Sequence, residues 1–281
     1  MRFALCSEVF QTPLEETLRR VAEIGFDGIE IAPFNAAASV DEVGPERRRA
    51  LASLARDLGL EIVGLHWLLV SPEGLHLTTG DAGVRRRTVE YLIKLADFCA
   101  DLGGKLMVLG SPRQRSVPAE VDPASAWRHA ADGLREVGER CAERRVRLLL
   151  EPLTPQDTNF LNTVEEALRL AREIDSPQVS YLIDTKAMSS MPEGIEGTIH
   201  RFGLGAAHFH ANEPGGLGPG MGSLDFRPIF QALIESNYLG WASAEPFDYR
   251  PDSETVARMA LRTMRDAAAA GSGKWKVGSG K

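Results

Sequence analysis

The chain has 281 residues, 43% hydrophobic and 25% charged, an ordinary globular balance that excludes intrinsic disorder and collagen-like repeats. Its 32 Lys and Arg against 39 Asp and Glu leave a net charge of −7, a poor match to a phosphate backbone or an anionic membrane. The balance favours a small-molecule partner over nucleic acid. Cys6, Cys99 and Cys141 are too scattered for a disulfide framework or a C-x-x-C site and read as reduced thiols of a cytoplasmic protein. No apolar run reaches the roughly 18 residues that a membrane span needs, and the first residues lack the apolar stretch of a signal peptide.

In chain order, short apolar runs alternate with longer amphipathic segments. Phe3 to Cys6 is the first strand candidate. Thr12-Pro13-Leu14-Glu15 then predicts a helix start, with Thr12 as cap and Pro13 at the first helical position. Leu14, Leu18 and Val21 stripe one face, Gly25 ends the helix, and Asp27 to Ile31 is the second strand. The unit recurs: a helix striped by Leu51, Leu54, Ala55 and Leu58 precedes the strand Glu61 to His66, and one striped by Val89, Leu92, Ile93 and Ala96 precedes Lys105 to Leu109. A helix over Pro123 to Arg144 leads to the strand Val146 to Leu150, and Thr163-Val164-Glu165-Glu166 is a capping box opening the next helix. Gln178 to Ile183, Gly205 to Phe209 and Gly240 to Ala244 complete the strands. Ile229, Phe230, Leu233 and Ile234 mark a helix between the last two, and a final helix covers about Ser253 to Ala270. Residues 271–281 carry Gly-Ser-Gly-Lys at both ends and read as a flexible tail or a linker scar outside the fold.

Eight strand–helix units without an intervening linker predict an α/β fold, a single (β/α)8 TIM barrel over residues 1–270. An open doubly wound sheet is the competing arrangement, but no G-x-G-x-x-G follows the first strand.

In such a barrel the chemistry sits at the carboxyl ends of the strands. Here the fifth strand runs into Glu151-Pro152, the sixth into Asp184-Thr185, the seventh through His208-Phe209-His210 to Asn212, and the eighth into Glu245-Pro246. A single strand-end carboxylate is most simply a helix cap or an ion-pair partner. Three carboxylates and an imidazole on four successive strands repel one another and call for a cation. Oxygen-rich ligation with one nitrogen suits Mn²⁺ or Mg²⁺, with Co²⁺ or Zn²⁺ as alternatives.

With these residues in view the chain resembles the xylose isomerase-like TIM barrels, the sugar phosphate isomerase/epimerase family that includes ketose 3-epimerases, inosose dehydratases and the endonuclease IV branch. The resemblance covers about residues 2 to 270. It rests on Phe26-Asp27-Gly28-Ile29-Glu30, Gly64-Leu65-His66-Trp67, Leu150-Glu151-Pro152-Leu153, Phe160-Leu161-Asn162-Thr163, Ile183-Asp184-Thr185, His208-Phe209-His210, the run from Gly218 to Phe226, and Glu245-Pro246. It implies that Glu151, Asp184, His210 and Glu245 hold one metal, usually Mn²⁺, and that Glu151 and Glu245 serve as acid and base. The implied reaction is metal-dependent isomerisation or epimerisation of a keto-sugar through an enediolate. A dehydratase or ketoglycoside-cleaving lyase using the same intermediate is the alternative.

The chain departs from ketose 3-epimerase relatives beyond the metal set. The aromatic and histidine that usually follow the sixth-strand Asp-Thr are replaced by Lys186 and Ala187, an arginine after the seventh-strand histidine is missing from Asn212 to Gly216, and a glutamate between the loop glycines is Met221. The second acid after the fifth strand survives as Asp157. These changes point as much to a keto-sugar derivative, ketoglycoside or sugar acid as to a free ketohexose. His66, Trp67, Asp157, Lys186 and Asn212 are the candidate substrate contacts: Trp67 to stack on a sugar face, His66 to bond a hydroxyl, Lys186 to polarise an oxygen or bind a carboxylate. Glu30 and His208 are read as pocket-shaping or supporting groups. The arginine runs 47–49, 85–87 and 144–145 fall on outer helix faces, and with only 6 histidines a multi-zinc nuclease is disfavoured. The outer helices are compatible with a dimer or tetramer.

Overall fold

The alternation of apolar runs and striped helices resolves, in a computed structural model that describes residues 1–275 with side chains to residue 271, into strand–helix units in strict succession. The strands are β1 (Arg2–Cys6), β2 (Gly28–Ile31), β3 (Glu61–Leu65), β4 (Leu106–Leu109), β5 (Arg147–Leu150), β6 (Val179–Tyr181), β7 (Ile183–Asp184), β8 (Phe209–Ala211) and β9 (Trp241–Ala244). The helices are α1 (Leu14–Ile24), α2 (Pro45–Asp57), α3 (Ala82–Asp101), α4 (Pro123–Arg144), α5 (Val164–Ile174), α6 (Thr185–Met188), α7 (Gly194–Phe202), α8 (Phe226–Glu235) and α9 (Ser253–Trp275).

All strand pairs are parallel, in the order β6-β5-β4-β3-β2-β1-β9-β8-β7. The two ends of this sheet, β6 and β7, are consecutive halves of one stave interrupted at Leu182. Leu182 N–H donates to Leu150 on one side, and Ile183 N–H donates to the His208 carbonyl on the other. One stave therefore hands over from β5 to β8, which brings the ends of the sheet together as an eight-stave barrel.

Local chemistry accounts for most boundaries. Asp122 caps α4 through Ser125 N–H, with Pro123 in the first turn. Thr163 and Glu166 form the reciprocal capping box of α5. At α1 the expected cap shifts by one residue: Pro13 occupies the cap position with extended φ and ψ, and the Thr12 hydroxyl turns to Thr17 Oγ1 at 3.0 Å. The seventh stave also differs from expectation. Gly203–Gly205 forms a tight helical turn, so β8 starts at Phe209 and carries His210 in its centre. Helix α9 continues to Trp275, so residues 271–275 of the expected tail are helical; residues 276–281 lie outside the described residues.

The core has two parts. One packs the outer faces of the strands against the helices. The smaller, around Ala4, Val63, Val108, Leu149, Leu182 and Trp241, fills the barrel interior. A Cβ at Gly28 would meet the Trp241 ring at 2.8 Å, so glycine there makes room for the indole that plugs the interior. Cys6, Cys99 and Cys141 are buried free thiols. Among the described residues no helix is long and apolar enough to cross a membrane.

Candidate metal centre and active site

Side chains two apart on a strand face the same way. Ala4, Val108, Leu149 and Leu182 point into the barrel, so Cys6, Gly110, Glu151 and Asp184 form the next inward layer toward the carboxyl ends of the strands. Glu30 stands above Gly28, His210 above His208 and Glu245 above Ser243 by the same parity. An apolar plug thus supports a ring of polar side chains, with His210 fully buried and Glu151, Asp184 and Glu245 3%, 3% and 6% exposed.

One ligand atom from each of Glu151, Asp184, His210 and Glu245 lies within 4.8 Å of the others. The His210 ring faces two ways. Its Nδ1 is 2.9 Å from Glu151 Oε1 and 3.1 Å from Glu245 Oε2, while Nε2 is 3.2 Å from Glu30 Oε2. Glu30 is held in turn by His208 Nε2. A proton on Nε2 donated to Glu30 leaves the Nδ1 lone pair directed at the cluster, the usual carboxylate–imidazole support of a metal-binding histidine. Asp184 is anchored from both sides: Oδ1 accepts the Ala187 N–H at 2.7 Å and caps α6, and Oδ2 accepts the Asn212 amide at 2.8 Å. Cap and candidate ligand are here the same carboxylate.

The protein alone pays an electrostatic cost for this arrangement. Burial, reinforced by the charges of Glu151 and Glu245, pushes Asp184 up to about 7. Burial and the Glu245 charge likewise raise Glu151. Burial would lower His210, but Glu245, Glu30 and Glu151 hold its imidazolium well above the ordinary range. Glu245 shows the opposite balance: against burial, His210 and His66 bring it down to about 2. These groups compete for protons in one another's fields. A divalent cation among three carboxylates and one imidazole would relieve that competition, and the donor set fits a hard ion.

The cluster opens into a cavity of about 350 Å³ lined by Glu151 and Glu245 at its base, with Trp67, Asp157, Lys186 and Phe247 among its walls. Glu151 reaches this place because residue 110 is glycine: a Cβ there would lie 1.9 Å from Glu151 Oε2. Lys186 Nζ pairs with Asp157 Oδ2 at 2.7 Å, with Phe247 beside it. Trp67 has φ +52°, a left-handed conformation rare for a bulky residue, and its ring meets Phe247 edge-on at 6.1 Å between centroids.

Two expected substrate contacts stand elsewhere. Asn212 is buried behind Asp184, its Oδ1 accepting from the Thr185 hydroxyl and the Lys186 N–H, so its amide is committed to positioning. His66 is also off the cavity wall; its Nδ1 lies 3.5 Å from Glu245 Oε1 and its Nε2 2.9 Å from Glu8 Oε2. Glu8, Gly110 and Phe247 escaped the sequence reading. Each sits just past a strand end, the position that drew attention to Glu151 and Glu245. Glu213 lies in the stretch that lacks the arginine of the relatives; its carboxylate accepts the N–H groups of Gly222 and Leu224 and ties down the glycine-rich loop bordering the cavity.

The chain matches the family model described as xylose isomerase-like TIM barrel over residues 18–267. Among curated relatives, a fructoselysine 3-epimerase of Shigella flexneri is 24% identical over 264 residues, covering 90% of this chain and 92% of the relative. A solved structure of L-ribulose 3-epimerase superposes with a TM-score of 0.86 at 23% identity, over 100% of this chain and 98% of the other. The structure of a 3-keto-D-glucoside 4-epimerase from E. coli gives 0.81 at 21% identity, over 95% and 99%. The two structural likenesses establish a shared fold.

Proposed function

Because the chain belongs to the xylose isomerase-like TIM barrel family, we propose that it is a divalent-metal-dependent sugar epimerase or isomerase that acts on a keto-sugar or keto-sugar derivative. The observation that carries this reading is the meeting of Glu151, Asp184, His210 and Glu245, with the two glutamates also lining the adjoining cavity. The epimerases among its relatives support the same reaction class. The donor set suits Mn²⁺. When bound, the cation supplies Lewis-acid stabilisation of negative charge on the substrate oxygens.

The chain's own residues do the rest. Glu151 and Glu245 come from different staves and reach one cavity. One takes the proton from the carbon beside the carbonyl, giving an enediolate, and the other returns a proton to that carbon. Return to the opposite face inverts the centre; return to the neighbouring carbon gives aldose–ketose isomerisation. Asp184, fixed by Ala187 N–H and Asn212, and His210, fixed by Glu30, hold position while the glutamates exchange protons. Trp67 and Phe247 wall the cavity and keep water from the carbanionic carbon.

The test is to load the protein with Mn²⁺ and incubate it with a panel of keto-sugars in D₂O. Deuterium should appear at the carbon beside the carbonyl together with an epimer or isomer, and Glu151→Gln or Glu245→Gln should reduce turnover by ~10²–10⁴-fold. Absence of exchange across the panel, or full turnover after chelation, would overturn the reading. Loss of water or an aglycone without epimer would replace it with a lyase.

A further inference from the structure

Beside the Glu151–Asp184–His210–Glu245 cluster a second set of donors converges. Cys6 ends β1, and the tight helical turn Ser7–Val9 that follows carries Glu8. His66 comes directly after β3, and Glu245 directly after β9. One donor atom from each of Cys6, Glu8, His66 and Glu245 lies within 4.8 Å of the others. The four residues are 0%, 8%, 1% and 6% exposed. Glu245 belongs to both clusters, and its oxygens divide between them: Oε2 is 3.1 Å from His210 Nδ1, and Oε1 is 3.5 Å from His66 Nδ1.

The donors of this second set do not satisfy one another. His66 Nε2 stands 2.9 Å from Glu8 Oε2, an ion-pair distance, yet the approach lacks hydrogen-bond direction. Both ring nitrogens of His66 and both oxygens of Glu8 are buried without a hydrogen bond. An ion pair uses one of those nitrogens and one of those oxygens and leaves the Cys6 thiol and Glu8 Oε1 idle. Buried polar atoms without partners cost free energy unless something binds between them. Ligand atoms held about 2.0–2.3 Å from one ion stand at most ~4.6 Å apart, so a small contraction of this set suffices. Sulfur, imidazole nitrogen and carboxylate oxygen are together the ligand types of Zn²⁺, a softer set than the oxygen-rich first one. Four protein ligands complete a tetrahedron. The way in is short, because Glu245 also lines the reaction cavity.

We infer that Cys6, Glu8 and His66 form a second divalent-cation site, of zinc type, that shares Glu245 with the first. On binding, the Cys6 thiol gives its proton to water, as a coordinating thiol does. The Glu245 oxygen that faces His66 is engaged as well. Its other oxygen already faces the first site, so Glu245 keeps no free oxygen for proton transfer, and Glu151 is left alone of the pair. Filling the second site therefore inhibits. That consequence rests on the epimerase reading above, whereas the site rests on its own donors.

Co²⁺ is the probe, because a thiolate ligand gives it an intense charge-transfer band in the near ultraviolet. Added to protein already loaded with Mn²⁺, Co²⁺ should be retained through gel filtration and show that band. Cys6→Ser should abolish the band. Glu8→Gln should weaken Co²⁺ retention by more than the ~10–100-fold that an outer partner costs. Asp184→Asn strikes only the first site and should keep the band. In turnover, Zn²⁺ should lower kcat of the Mn²⁺-loaded protein by ~10²-fold or more, the scale of one proton-transfer group, and Cys6→Ser should escape this inhibition. Absence of the band, or a band that survives Cys6→Ser, overturns the site and leaves His66 and Glu8 as an ion pair. A band lost in Cys6→Ser without inhibition by Zn²⁺ upholds the site and overturns its effect on Glu245. The same band in a protein that exchanges no deuterium into any keto-sugar upholds the site and overturns the reaction reading instead.

Discussion

Gly110→Ala is the most direct probe of how the proposed metal centre is built. Gly110 follows β4 at the inward position beside Glu151, and its φ lies outside the left-handed region, so alanine fits the backbone. The added Cβ would sit 1.9 Å from Glu151 Oε2 and 3.1 Å from Cδ, and the oxygen would have to retreat by about 1 Å to reach even the tightest ordinary contacts. Glu151 Oε1 is meanwhile held at 2.9 Å by His210 Nδ1, so the carboxylate cannot retreat without breaking that contact. A misplacement of this size costs ~10²-fold in turnover, and loss of ligand orientation costs ~10–100-fold in metal affinity. The change in stability should be small, because the gain of about 0.4–1 kcal/mol from replacing glycine by alanine is set against a crowding cost of about 1–3 kcal/mol at the displaced carboxylate. Titration calorimetry with Mn²⁺, steady-state kinetics and thermal melts on the same preparation separate these effects. A folded Gly110→Ala protein with unchanged Mn²⁺ affinity and unchanged kcat/KM would refute the proposed place of Glu151.

Three other outcomes are expected. Glu30→Gln removes the charged partner of His210 Nε2 and should weaken Mn²⁺ binding ~10–100-fold, as measured by calorimetry; an unchanged Kd would mean that His210 is oriented by other groups. Thr163→Ala deletes the hydroxyl that caps α5 and should cost about 1 kcal/mol in urea denaturation while leaving kcat alone; a matching loss of turnover would tie this helix to the site. Cation binding should weaken as the pH falls through about 7, because burial and the Glu151 and Glu245 charges keep Asp184 protonated below that point and its proton must leave before the oxygen can bind metal. A Mn²⁺ affinity that is flat from pH 8 to pH 6 would contradict this.

The pH dependence has a counterpart in the metal-free fold. Asp184 holds its proton more tightly in the folded chain than its ordinary value of 3.8 would allow, so its contribution is fully present below that value and is lost as pH rises through about 7. A bound cation takes over that role at higher pH, so metal should raise the melting temperature more at pH 8 than at pH 6.

Much of this protein was legible from neighbours in sequence. Stripes of apolar residues, the Thr163–Glu166 box and the bounds of α4 are local matters, settled within a turn or two of chain. Glu151, Asp184, His210 and Glu245 could be singled out because each stands at or beside the carboxyl end of an apolar run and because eight such runs with helices between them have one common way to close. Closure itself decided who meets whom. His208 and Glu30 are 178 residues apart in the chain, and His210 and Glu30 are 180 apart; no periodicity connects them. The same holds for Asn212 turning to Asp184 instead of the cavity, for His66 between Glu8 and Glu245, and for the glycine at 110 that leaves space for Glu151. Local pattern specifies which way a side chain faces, because strand and helix repeat over a few residues. The partner it finds there depends on stagger and closure around the barrel, and those follow from packing the whole sheet against its helices.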